Sequence, residues 1–91
     1  MILFNNVTAA ETSSEFITDG SKSLGLKCSG VSGSEVVNLQ VKCGFAFQNV
    51  LDSSGNAVTF TSTNKPVTVT GSGIYRVVKP STASPVTIQL D

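Results

Sequence analysis

The chain has no histidine and no tryptophan, a single tyrosine (Tyr75) and two cysteines (Cys28 and Cys43). Without an imidazole there is no Ser-His-Asp triad, no His-based acid–base pair and no His-ligated metal. Two cysteines alone cannot complete a four-ligand zinc site. One tyrosine without tryptophan is a poor start for an aromatic sugar-stacking platform. Charge is scarce and balanced, six basic residues against six acidic ones. The surplus of Lys and Arg that displaces phosphate counterions is missing, so no nucleic-acid partner is expected. The acids Glu11, Glu15, Asp19, Glu35, Asp52 and Asp91 are dispersed, and only folding would bring two together as a catalytic pair. No apolar run approaches the roughly 18 residues of a membrane span. Met1-Ile2-Leu3-Phe4 is apolar but has no basic flank and is shorter than a leader's apolar region. The expectation is a chain made and kept in a cytoplasm, or assembled there, with the Asn6-Val7-Thr8 sequon idle. It is expected to be no enzyme, with no cofactor, metal, membrane or small-molecule substrate.

Helical periodicity is missing too, and a period of two stands in its place. In Val37-Asn38-Leu39-Gln40-Val41-Lys42-Cys43-Gly44-Phe45 the apolar residues fall on alternate positions. Strand side chains alternate between faces, so this reads as a long central strand with Val37 through Phe45 turned inward. Leu24, Leu26 and Cys28 alternate in the same way, as do Val58 and Phe60, Val67 and Val69, Tyr75 and Val77, and Val86, Ile88 and Leu90. Asp19-Gly20, Gly30–Ser34, Asp52–Asn56 and Gly71–Gly73 are turn signals, and Pro80–Pro85 must be a loop. Asp52–Asn56 offers oxygen ligands of the kind Ca²⁺ takes, but a hairpin loop of these residues is ordinarily only a turn. Gly44 before Phe45 and Phe47 suggests a bend or bulge.

Seven or eight short strands at intervals of about ten residues predict an all-β fold: one antiparallel β-sandwich, Ig-like in its Greek-key plan. Residues 1–12 form an extended N-terminal arm or a short first strand, and 13–91 the sandwich domain. In Gly73-Ile74-Tyr75-Arg76-Val77 the tyrosine sits where an immunoglobulin-type corner bonds back to the preceding loop, with Val77 in place of the second cysteine.

If the Leu24–Cys28 and Val36–Phe45 runs form a hairpin, Cys28 faces Val36 and lies over about 20 Å from Cys43 along the strand. A disulfide needs Cα atoms within about 7 Å. Two reduced, buried thiols are expected on that premise, while placement in opposite sheets would leave a bridge open. With Val37, Leu39 and Val41 inward, Val36 faces out, and with Tyr75 and Val77 inward, Ile74, Arg76 and Val78 face out. Together with the apolar Ile2, Leu3 and Phe4 these form the candidate protein-contact surface.

The layout of the chain resembles the small β-sandwich virion proteins of tailed bacteriophages, especially head decoration (cement) proteins. The residues that carry the resemblance are Leu3 to Ala10, Leu24-Gly25-Leu26-Lys27-Cys28 and Val37-Asn38-Leu39-Gln40-Val41. They continue with the Asp52–Asn56 loop running into Val58-Thr59-Phe60-Thr61, then Gly73–Val77, then Val86-Thr87-Ile88-Gln89-Leu90. Phe45 and Phe47 stand where such proteins often have tryptophan. The resemblance implies a structural protein on the exterior of a virion, its partners the major capsid protein and copies of itself, a trimer being one arrangement open to it. Neck, tail or fibre proteins share this texture, and a carbohydrate or host-surface binding module is a further alternative.

Overall fold

The computed structural model describes residues 2–21 and 23–90. Its strands are β1 (Ile2–Val7), β2 (Glu11–Thr12), β3 (Phe16–Thr18), β4 (Leu24–Ser29), β5 (Val37–Cys43), β6 (Ala46–Asn49), β7 (Thr59–Phe60), β8 (Val67–Val69), β9 (Gly73–Lys79) and β10 (Val86–Leu90). Among the described residues there is no helix. Every pairing is antiparallel. One sheet, A, runs β1-β10-β4-β8; the other, B, runs β2-β9-β5-β6, with β3 also on β9 and β7 also on β5. The sheets curl as a half-barrel around one core of Phe4, Phe16, Leu26, Val31, Val37, Leu39, Phe60, Val69, Tyr75, Val77, Val86, Ile88 and Leu90.

Alternation is what places most of that core. In β9, Tyr75 and Val77 are buried between the half-exposed Ile74, Arg76 and Val78, and in β10 Val86, Ile88 and Leu90 are buried around Thr87 and Gln89. Cross-strand pairs then stack like with like: Leu39 opposite Val77, Phe16 opposite Tyr75, and Leu26 opposite Leu90.

Among the described residues there are ten strands rather than seven or eight, and two of the sheet edges are each made of two short pieces. The edge on β9 is split between β2 and β3, and Ser13 bridges the gap. Its amide donates to the Val77 carbonyl at 2.8 Å, and the Val77 amide donates to the Ser13 hydroxyl at 2.8 Å. The edge on β5 is split between β6 and β7 by the turn at Asp52, whose Oδ1 accepts the amides of Ser54 and Asn56. Residues 2–7 are β1, paired with β10 of the same chain through two register shifts. At the second shift Asn6 takes φ +54°, a conformation its short polar side chain tolerates, and its amide donates to Thr87 Oγ1 at 3.0 Å.

Four expectations need correction. The central strand stops at Cys43: Gly44 and Phe45 form a two-residue turn with Cys43 opposite Ala46, and Phe45 is fully exposed. Gly44 at φ +66° supplies the positive first position of a II′-type hairpin, whose twist matches the flanking strands. The β4–β5 hairpin does not form, because β4 lies in sheet A and β5 in sheet B. Both thiols are free, but only Cys28 is partly buried and Cys43 is exposed. Finally, an immunoglobulin order puts the last strand beside the tyrosine strand. Here β2 and β3 hold that edge of β9, and β10 sits between β1 and β4.

Candidate functional site

The outward face of sheet B is built by β3, β9, β5 and β6. Residues directly opposite in an antiparallel pair share a face, so the registers fix its rows. Ile17 lies beside Ile74, Arg76 beside Gln40 and Gln40 beside Asn49, and Thr12 beside Val78 and Val78 beside Asn38. Arg76 is the centre. Its Nε donates to Gln40 Oε1 at 2.9 Å, and Gln40 Nε2 donates to Asn49 Oδ1 at 3.2 Å, a side-chain ladder across three strands. The Arg76 guanidinium lies over the Phe47 ring, 3.9 Å from its centroid. A guanidinium seated over an aromatic ring and hydrogen-bonded through its Nε loses little further freedom when a partner covers it.

The structure divides the expected contact residues. Ile74, Arg76 and Val78 share this face, each half-exposed, and Val36, exposed, immediately precedes β5. Ile2, Leu3 and Phe4 are on β1 in the other sheet. Ile2 is exposed, Leu3 packs against the core, and Phe4 is core itself at 3 % exposure, which removes it from any contact surface. Sequence reasoning missed Ile17, 75 % exposed, and the roles of Phe45 and Phe47. The signal for Ile17 was present: with Phe16 inward, its neighbour in a strand must face out. Phe47 needed the turn at Gly44–Phe45 to be recognised, which places Phe47 opposite Lys42 on the outward face.

Two polar constellations lie elsewhere, and each ties the fold together. Tyr75 Oη donates to the Gly71 carbonyl at 3.0 Å, Thr18 Oγ1 donates to the same oxygen, and the Tyr75 ring stacks on Phe16 at 5.8 Å. Lys79 is buried at 1 % exposure, its Nζ donating at 2.9 Å to the carbonyls of Ala9 and Pro80. Desolvation pulls its pKa below the ordinary lysine range, opposed by the carboxylates of Glu11 and Glu35. Glu35 accepts the amides of Ala83 at 2.7 Å and Ser32 at 3.2 Å, and these bonds, the Ala83 amide first, hold its carboxyl below the usual range. Among the described residues no three His, Cys, Asp or Glu side chains gather as a metal site.

Compared with protein-family models, curated proteins and solved structures, the chain has no match.

Proposed function

We propose that this protein is a non-enzymatic structural component of a bacteriophage particle, bound to the outer capsid surface and stabilising the head as a decoration protein. The observation that carries this reading is the outward face of sheet B, where Ile17, Ile74, Phe47 and Val78 surround an arginine fixed by Gln40 and Asn49. Aromatic and arginine anchors of this kind dominate protein interfaces. Fixing them on a sheet lowers the entropy lost on docking. Several hundred Å² of apolar contact at about 25 cal/mol per Å² gives a modest affinity per copy before association costs. Repetition over a shell multiplies it.

In this reading the two sheets pack as a β-sandwich, and Tyr75, bonded back to Gly71, supplies the tyrosine corner of Ig-like domains without their strand order. The partners are the major capsid protein and neighbouring copies of this chain, a trimer being one arrangement open to them.

The test is to mix purified protein with phage heads lacking it and to image the product by cryo-electron microscopy. Many symmetric copies seated through the outward face of sheet B are expected, with heads that survive higher temperature. Ile17→Glu should lose binding while its melting curve stays in place, since the side chain is already in water. A single copy at one vertex would move the protein to the neck. Glycan-array binding without head binding would make it a host-surface module.

A further inference from the structure

Charge on the outward face of sheet B is of one sign. Residues directly opposite in a pairing share a face, so Lys42, opposite Phe47, lies on the same surface as Arg76. The outward positions that the registers assign on β2, β3, β5, β6, β7 and β9 hold these two cations and no carboxylate. Glu11 is opposite the buried Lys79 and belongs to the other side of the sheet. Glu15 and Asp19 lie outside β3, and Asp19 is held by the amide and hydroxyl of Ser21. Among the described residues no acid reaches Arg76, whose contacts are those to Gln40 and Phe47.

The two cations differ in what a docked partner would do to them. Lys42 is exposed, and its long stem can keep the ammonium in water at the rim of a contact. Arg76 is half-buried and fixed. Phe47 covers its guanidinium and Gln40 takes Nε, which leaves the terminal amino groups without a partner among the described residues. A surface seated on Ile17, Ile74 and Phe47 also strips water from those groups. Purely apolar surface laid there would bury an unpaired charge, which is strongly unfavourable. A carbonyl oxygen would bond an amino group and leave the charge uncompensated. A carboxylate meets both needs, since its two oxygens match the parallel N–H groups of the fork and its charge offsets the cation. A nucleic acid presents phosphates in rows, and two cations are too few to hold one. A second copy seated on this same face by a two-fold axis would set cations against cations, with no acid to offer.

We propose that the surface docked on sheet B belongs to a different protein and presents an Asp or Glu side chain, ringed by apolar residues, to the terminal amino groups of Arg76. This partner chemistry rests on the reading of the face as the docking surface and specifies what that face meets.

The test compares two preparations of phage heads lacking the protein, one untreated and one treated with a water-soluble carbodiimide and methylamine, which converts surface carboxylates to neutral amides. Treated heads, shown intact by electron microscopy, should bind the purified chain at least about thirtyfold more weakly. Arg76→Met still packs on Phe47, so it should lose as much on untreated heads while melting near the parent. Arg76→Lys, charged but without the fork, should fall between the two. Added salt should slow association of the parent more than that of Arg76→Met. Ile17→Glu separates this proposal from the reading beneath it. If Ile17→Glu loses binding while Arg76→Met and the amidated heads keep it, the face docks without a carboxylate, and this proposal alone is overturned. If Ile17→Glu binds in full, or untreated heads take up no protein, the docking reading falls and the carboxylate with it. Self-association of the free chain that Arg76→Met abolishes would also overturn the proposal, giving the acid to a neighbouring copy.

Discussion

Single residues set how the molecule responds to pH and to thiol reagents. Burial pushes the Cys28 thiol up to about 11, while Cys43 stands exposed at the end of β5. The thiolate is the nucleophile, and a rise of two units cuts its fraction about a hundredfold. Iodoacetamide should therefore modify Cys43 readily and Cys28 only slowly until the protein is denatured; mass spectrometry of the alkylated chain reads both. The ionisable groups act on stability with definite signs. Glu35 has a lowered folded pKa, so its contribution is complete above the ordinary carboxylate value of 4.5 and is lost as pH falls through the lower folded value. Lys79, also lowered, releases its proton earlier when folded, so stability rises between its folded value and 10.5. Cys28 works the other way: its stabilisation is present below 9.0 and is lost as pH climbs toward about 11. Urea midpoints measured from pH 2 to 11 should fall on the acid side, and Glu35→Gln should flatten that limb. The part that remains belongs in some measure to Asp19, which Ser21 holds low. Cys28→Ala should remove the alkaline loss. The position of Lys79 was in fact legible. It has the same parity as Tyr75 and Val77, and only its charge argued against burial. The carbonyls of Ala9 and Pro80 are what make that burial tolerable, and they come from loops whose path no local pattern fixes.

Elements turn on a few backbone positions, and here glycines separate two kinds of cost. Gly30 has φ +93°, and a Cβ there would overlap the Pro85 carbonyl oxygen. Gly44 has φ +66° with open space around it. Gly44→Ala should cost about 1 kcal/mol of backbone strain and leave the β5–β6 hairpin in place. Gly30→Ala should cost several times more, because backbone must move as well as strain; thermal denaturation of the two variants ranks them. The tyrosine corner gives a second contrast. Tyr75→Phe deletes one of two donors to the Gly71 carbonyl and should cost about 1 kcal/mol. With Thr18→Val added, that oxygen loses both donors, and the double variant should lose more than the sum of the singles. Tyr75 was readable because a Gly-x-Tyr at a strand start has a local geometric meaning. The β5–β6 turn was read only as a bend or bulge at Gly44, because the alternation of Val37, Leu39, Val41, Cys43 and Phe45 runs on past the last covered pair. Side-chain parity says which face a residue takes in a strand; it is silent on where the strand stops.

At the scale of the whole molecule, the same limit governs topology. The inward registers of β4, β5, β9 and β10 follow from period two, since one slip would turn each hydrophobic set to solvent. Which sheet each strand joins does not follow, because a hairpin and a crossing between sheets draw on the same Gly and Ser residues. The Gly30–Val36 link shows the difference: it carries Val31 into the core, where Asn64 accepts the Val31 amide at 3.1 Å and donates to its carbonyl at 3.3 Å. A partner 33 residues away along the chain leaves no trace in the local sequence. The candidate contact face fell between these cases, its β9 residues and Ile17 open to parity and its Phe47 given only by pairing. One pair of substitutions separates core from face. Leu39 is buried opposite Val77 at the centre of sheet B, and Leu39→Asp places an unpaired charge there, at a cost of several kcal/mol against a total stability of about 5–15. Such a protein should be recovered unfolded, without a cooperative melt. Ile74 lies on the opposite surface of the same sheet, beside Ile17, and Ile74→Asp should melt near the parent while losing the head binding proposed above. Were both variants to fold and assemble, neither the inward register nor the outward face would be as described. Were Ile74→Asp alone to keep full head binding, the docking proposed for sheet B would be refuted, with the fold left standing.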